Sequence, residues 1–187
     1  MKTVYVDVDT QIDFLFPAGA LYAPGAEKIL PAIEELNRQA AAEGNPVIST
    51  MDAHGEDDPE FGTWPAHCVA GSMGQRKPSA TLLERRIVIP STPGSVAVEG
   101  FQQFLLEKQA LDCFSNPNLL RLLDELGAER CVVYGVVTEH CVRLAVLGLL
   151  KAGREVEIRV RAIQSLSEQD GARALEEMER AGAVLRA

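Results

Sequence analysis

The chain predicts an α/β fold of three layers, a doubly wound and mostly parallel sheet of about six strands with helices on both faces. Three observations carry this. Short runs rich in β-branched residues alternate with longer segments of helical period. Several of the runs are apolar throughout rather than alternating, as strands buried on both faces are. Turn residues such as Gly44-Asn45-Pro46 separate the two kinds of segment. Strand–helix alternation of this sort builds βαβ units.

Thr3 to Val8 reads as the first strand. Pro24-Gly25 opens a helix from Ala26 to about Ala42, and Val47 to Thr50 is a second short buried strand. Met51 to about Ser79 is rich in Gly, Pro, Asp and His and has no periodicity; a loop of that length inside a compact domain usually serves a function. Arg86 to Ile89 is a third strand, and Phe101 to Glu107 suits a strand or a helix. Asn116 to Leu126 is helical, Cys131 to Val136 a strand, and a helix follows Thr138. Glu155 to Val160, Glu168 to Ala181 and Ala183 to Leu185 then read as strand, helix and last strand.

At 187 residues the chain fits one domain, 1–187, with a sizeable core. A net charge of −9 with no basic cluster argues against a nucleic-acid partner. No apolar run reaches membrane-spanning length, so no membrane partner is expected. Four cysteines (Cys68, Cys113, Cys131, Cys141) without CxxC pairing imply reduced thiols and a cytoplasmic address.

Cys141 lies where a buried strand hands over to a helix, the crevice in which α/β folds place ligands. A helix N-terminus there would favour the thiolate and lower the thiol pKa; the plainer alternative is a small buried hydrophobe. Asp9 ends the first strand, and alternation places it on one face with Asp7. A partly desolvated carboxylate at that point can accept and return a proton, or simply cap the next turn. Lys108 follows an apolar segment and could set an ammonium beside the thiol, although most lysines are solvated. Asp52 and His54, two residues apart, and His67 from the same loop could hold a divalent cation and leave positions open. All three histidines of the chain, His54, His67 and His140, fall in these segments.

At these residues the chain resembles the isochorismatase-like cysteine hydrolases, and within them the nicotinamidase/pyrazinamidase branch. Asp9-Thr10-Gln11-Ile12-Asp13-Phe14 is similar to D-x-Q-N-D-F, and Gly19 to Ala26 to G-S-L-x-V-P-G-A. Asp52-Ala53-His54 matches D-x-H, and Trp64 to Gly74 resembles W-P-x-H-C-V-x-G-T-x-G. Lys108 to Phe114 matches K-x-x-x-D-A-F, and Gly135 to Val142 matches G-V-x-T-D-x-C-V. The resemblance implies a catalytic set of Asp9, Lys108 and Cys141, with the backbone N–H groups of Val137 and Cys141 as oxyanion hole. It implies a cis peptide between Val136 and Val137. It further implies one divalent ion per chain, zinc before iron or manganese, on Asp52, His54 and His67, with Glu60 as a further ligand. Phe14, Leu21, Trp64 and His140 would line a pocket for a small amide. The implied activity is hydrolysis of nicotinamide to nicotinate and ammonia through a thioester, within NAD salvage, by a homo-oligomer. Ile12, Met51, Ala53, Glu139 and Arg161 depart from the pattern. They leave open a relative acting on another small amide or vinyl ether, or a silent binding domain.

Overall fold

A computed structural model describes residues 1–187. Its strands are β1 (Thr3–Val8), β2 (Val47–Asp52), β3 (Arg86–Ile89), β4 (Gln103–Lys108), β5 (Arg130–Val136), β6 (Glu155–Gln164) and β7 (Val184–Arg186). Its α-helices are α1 (Ile12–Leu15), α2 (Leu30–Ala42), α3 (Leu119–Glu125), α4 (Arg143–Lys151) and α5 (Glu168–Arg180). The strands form one sheet in the order β3-β4-β2-β1-β5-β6-β7, and every pairing is parallel. The sheet thus has seven strands, in line with the parallel sheet of about six that the sequence predicts. Phe101 to Glu107 resolves as a strand, because it inserts between β2 and β3 and needs partners on both sides.

From the central β1 the chain first moves outward to β2 on one side, and later from β5 to β6 on the other. Right-handed crossovers running in opposite directions put α2 on one face and α4 and α5 on the other. The carboxyl ends of β1 and β5, where the direction reverses, make the crevice in which such folds bind ligands.

The predicted helix from Ala26 begins as a 3₁₀ turn (Ala26–Ile29) and becomes α-helical at Leu30. Gly44, at φ +73°, stops α2, and the Asn45 N–H closes it on Ala40 O at 2.8 Å. The helix expected from Asn116 starts only at Leu119, because the Asn116 side chain instead donates to the carbonyls of Pro90 and Glu107. Ser167 caps α5 through Asp170 N.

The α2 face hides a polar network that the sequence did not announce. Asp7, fully buried, accepts from Thr10 Oγ1 at 2.6 Å and Ser49 Oγ at 2.9 Å, and pairs with Lys77 Nζ at 3.2 Å. Lys77, a residue of the irregular loop, is only 6% exposed. The pair ties that loop to the end of β1.

Gly135 lets the central strands approach at the site. It has φ +121°, and a Cβ there would lie 2.1 Å from Val8 O. We expect Gly135→Ala to lower stability by about 2–3 kcal/mol, read by urea denaturation, because backbone on both strands must shift.

Candidate active site

Four strand ends deliver the site. Thr50 and Asp52 of β2 and Lys108 of β4 share one face, with Asp52 and Lys108 directly in register. Asp9 joins them. Alternation would have put it beside Asp7, but β1 ends at Val8 and Asp9 has φ +49°. That left-handed residue breaks the period and turns the carboxylate to the opposite face. There Asp9 Oδ1 accepts from Thr50 Oγ1 at 2.5 Å, and Oδ2 lies 3.0 Å from Lys108 Nζ. Thr50 Oγ1 also lies 3.1 Å from Asp9 N.

Lys108 is fully buried and is the hub of the cluster. Besides Asp9, its Nζ contacts Asp52 Oδ1, Ala110 O at 3.0 Å and Cys141 Sγ at 3.9 Å. Two carboxylates outweigh burial and hold its pKa well above the ordinary value. Burial raises the pKa of Asp9, against the pull of Lys108. Asp52 is held well below the carboxylate range: burial opposes this, but Lys108 and the two histidines prevail.

Cys141 sits in a single π-helical turn, Thr138–Val142, that leads into α4. Where the sequence predicts a lowered thiol pKa, burial pushes it well above its usual value, and the acids nearby add to this against Lys108. Burial thus favours the neutral thiol, whose sulfur lies 3.9 Å from Lys108 Nζ. Desolvation outweighs the ammonium. The Val136–Val137 peptide is cis.

Cys141 opens onto a pocket walled by Phe14, Leu21, Trp64 and His140, with Asp52, Glu60 and His67 on its other side. Leu111, Val137 and Leu166 complete the lining. Leu111 and Leu166 carried no signal in the sequence, since each is a single apolar residue in a connection. Glu139, one of the departures, fixes the latter: its Oε1 accepts from Leu166 N at 2.9 Å and Ser167 N at 3.0 Å. Arg161, another departure, pairs with Glu35 of α2 at the surface, 3.0 Å away.

The metal-type residues also converge. Asp52 Oδ2 lies 3.6 Å from His54 Nε2 and 3.8 Å from His67 Nε2, and Glu60 Oε1 lies 3.9 Å from His67 Nε2. These distances are too long for hydrogen bonds. They approach the roughly 3.4 Å edge of a tetrahedron with bonds of about 2.1 Å. His54 Nε2 is buried without a hydrogen-bond partner, the state of a ligand atom waiting for a cation. The residues fit a divalent ion. Gln11, overlooked in the sequence, clamps Asp52 by accepting from its N–H at 2.7 Å and donating to its carbonyl at 2.8 Å. Phe61 packs on His54 and His67, with ring centroids 5.4 and 5.7 Å away.

Without a cation, burial would lower the His54 pKa, but Asp52 and Asp58 outweigh it and raise it to about 9. A pKa raised from 6.5 adds stability that is complete below pH 6.5 and lost as pH rises through about 9. We therefore expect metal-free protein to lose stability across that interval. Divalent-cation affinity should rise over the same interval, because the ion displaces protons. Urea midpoints and cation titrations at several pH values test both.

The model of the isochorismatase domain matches residues 3–187. The nicotinamidase/pyrazinamidase of Mycobacterium tuberculosis is 28% identical over 186 residues, covering 95% of each chain. The nicotinamidase of Escherichia coli is 27% identical, covering 95% of this chain and 91% of its own. Among solved structures, the pyrazinamidase of Pyrococcus horikoshii in complex with zinc superposes with a TM-score of 0.86. It is 30% identical and covers 100% of this chain and 99% of its own. With the family model spanning nearly its whole length and its fold shared, this chain belongs to the isochorismatase family.

Proposed function

We propose that this protein is a metal-dependent amidohydrolase that converts nicotinamide to nicotinate and ammonia. The observation that carries the reading is the convergence of two sets of groups on one pocket. Asp9, Lys108 and Cys141 form one contact cluster, and Asp52 joins it to His54 and His67. The names of the relatives, nicotinamidases and pyrazinamidases of similar length, support it. So complete a cluster argues against a silent binding domain.

The apolar walls of the pocket, Phe14, Leu21 and Trp64, hold the ring and exclude water from the carboxamide. Asp52, His54 and His67, with Glu60 beside them, would hold one divalent ion, and that ion would supply Lewis acidity at the pocket; zinc is expected, and iron or manganese suits the donors. Asp9 takes the proton of the Cys141 thiol as sulfur bonds to the carboxamide carbon. The carbonyl electron pair moves to oxygen, where the N–H groups of Val137 and Cys141 serve as oxyanion hole. Asp9 returns the proton to nitrogen, the C–N bond breaks and ammonia leaves a thioester. Asp9 next takes a proton from water, whose oxygen attacks the thioester. The C–S bond breaks, the thiol regains the proton from Asp9, and the acid product departs as nicotinate, giving its remaining proton to solvent. Lys108 keeps Asp9 ionised between these transfers.

Unpaired cysteines suit a reducing cytoplasm, and no helix is long and apolar enough to cross a membrane. We place the enzyme in the cytoplasm as one hydrolase domain, without nucleic-acid or membrane partners, assembling with copies of itself.

Ammonia release from nicotinamide, with and without a chelator, tests the reaction. We expect metal removal to abolish release and added divalent ion to restore it. Substituting His54→Ala or His67→Ala should lower metal content and turnover together, turnover by about 100-fold or more. Full activity in verified metal-free protein would point to a metal-independent member of the family.

A further inference from the structure

The two histidines of the cluster have their Nδ1 atoms satisfied differently. His67 Nδ1 meets the carbonyl of Pro65, from its own loop, at 2.8 Å. His54 Nδ1 meets a carboxylate, Asp58 Oδ2, at 2.9 Å. The chain between them turns back on itself, with Asp58 N on Gly55 O at 3.3 Å, which brings Asp58 over the ring edge. The second oxygen is used as well: Asp58 Oδ1 accepts from Glu60 N at 2.9 Å and caps the turn Pro59–Gly62. That turn holds Glu60 Oε1 3.9 Å from His67 Nε2.

We propose that Asp58 is a positioning residue for the metal centre, setting the tautomer of His54 and the place of Glu60 with one carboxylate. This rests on the reading of Asp52, His54 and His67 as metal ligands. A carboxylate acceptor keeps one ring proton on Nδ1, so the proton an ion displaces is the one on Nε2, the buried and otherwise unpartnered atom that faces Asp52 and His67. A carboxylate also makes the ring a stronger donor than a carbonyl does. Asp58 does not itself touch the ion. Nothing in the acidic stretch Glu56-Asp57-Asp58 distinguishes it in the sequence; the fold selects it.

Asp58→Asn separates the two tasks. Its amide oxygen can still cap Glu60, and its shape is unchanged, but its NH₂ faces His54 Nδ1. The ring must then accept at Nδ1 and carry its proton on Nε2, where the ion would bind. The experiment is cobalt(II) binding to metal-stripped wild type, Asp58→Asn, Asp58→Ala and His54→Ala, by chelator competition and visible absorption. Thermal unfolding of each metal-free protein reports the fold.

We expect Asp58→Asn to bind cobalt(II) about 10–100-fold more weakly with an altered visible band, at an unchanged metal-free unfolding temperature. Asp58→Ala, which loses the cap too, should bind no better. If both Asp58 variants bind within twofold of wild type with the same spectrum while His54→Ala does not, the positioning role is overturned. If wild type does not bind cobalt(II), or His54→Ala binds equally, the metal centre itself is refuted and this role with it. Should both Asp58 variants fail to fold, the imidazole ¹⁵N resonances of zinc-loaded wild type decide. A protonated Nδ1 with metal on Nε2 of His54 supports the proposal, and metal on Nδ1 overturns it.

Discussion

Cys141→Ala is expected to reduce ammonia release by about 10,000-fold or more, since loss of a nucleophile leaves only binding and oxyanion stabilisation. The change removes one sulfur from a side chain that is already 6% exposed, so the fold and the metal content should survive. Circular dichroism and metal analysis of the same sample check this. In the wild type, Cys141 is the one cysteine that lines the pocket and should be alkylated before Cys68, Cys113 and Cys131. Burial holds its thiol pKa high, so alkylation should accelerate with pH throughout the neutral range. Turnover by the alanine variant within tenfold of wild type would sink the thioester mechanism.

Lys108→Met should be the most destabilising single change at the site. The fully buried ammonium contacts both Asp9 and Asp52, themselves 1% and 2% exposed. Removing it leaves the buried Asp9 carboxylate without its cation and Asp52 with only the histidines beside it, a situation that costs about 3–5 kcal/mol. Urea denaturation of metal-free wild type and variant gives the difference. Activity carries a second signature. Lys108 is the chief influence lowering the Asp9 pKa, which burial has already raised. Without it the proton stays on Asp9 to higher pH, so turnover at neutral pH should fall by about 100-fold and recover partly in alkali. Equal stability together with an unshifted acid limb would show that Lys108 is not the counter-ion of the base.

The reason Lys108 was legible while Lys77 was not is instructive. Both are buried lysines paired with an aspartate at or near the end of β1. Lys108 follows an apolar segment, which gave it a reading as an ammonium beside the thiol, and the resemblance gave it a catalytic role. Lys77 comes from an aperiodic loop, and no local pattern says which loop residues fold back into the core. The same limit hid Leu111, Leu166 and Asp58, each of which acquires its place from a partner far away or from a turn of irregular geometry.

What the sequence by itself determined is the alternation of strands and helices, the parallel sheet, and the residues able to do chemistry at its carboxyl edge. These follow from hydrophobic period, turn residues and side-chain type, which are local properties of the chain. Tertiary structure decided the rest. It chose the face of Asp9, because a left-handed residue after β1 breaks the alternation that β1 obeys. It decided the state of Cys141, because desolvation depends on everything packed around a group, and here it outweighs a nearby ammonium. It also joined the two halves of the site: the register of β2 with β4 sets Asp52 against Lys108, so one carboxylate touches both the lysine and the histidines. Register and burial are properties of neighbours distant in the chain, and only the folded molecule brings them together.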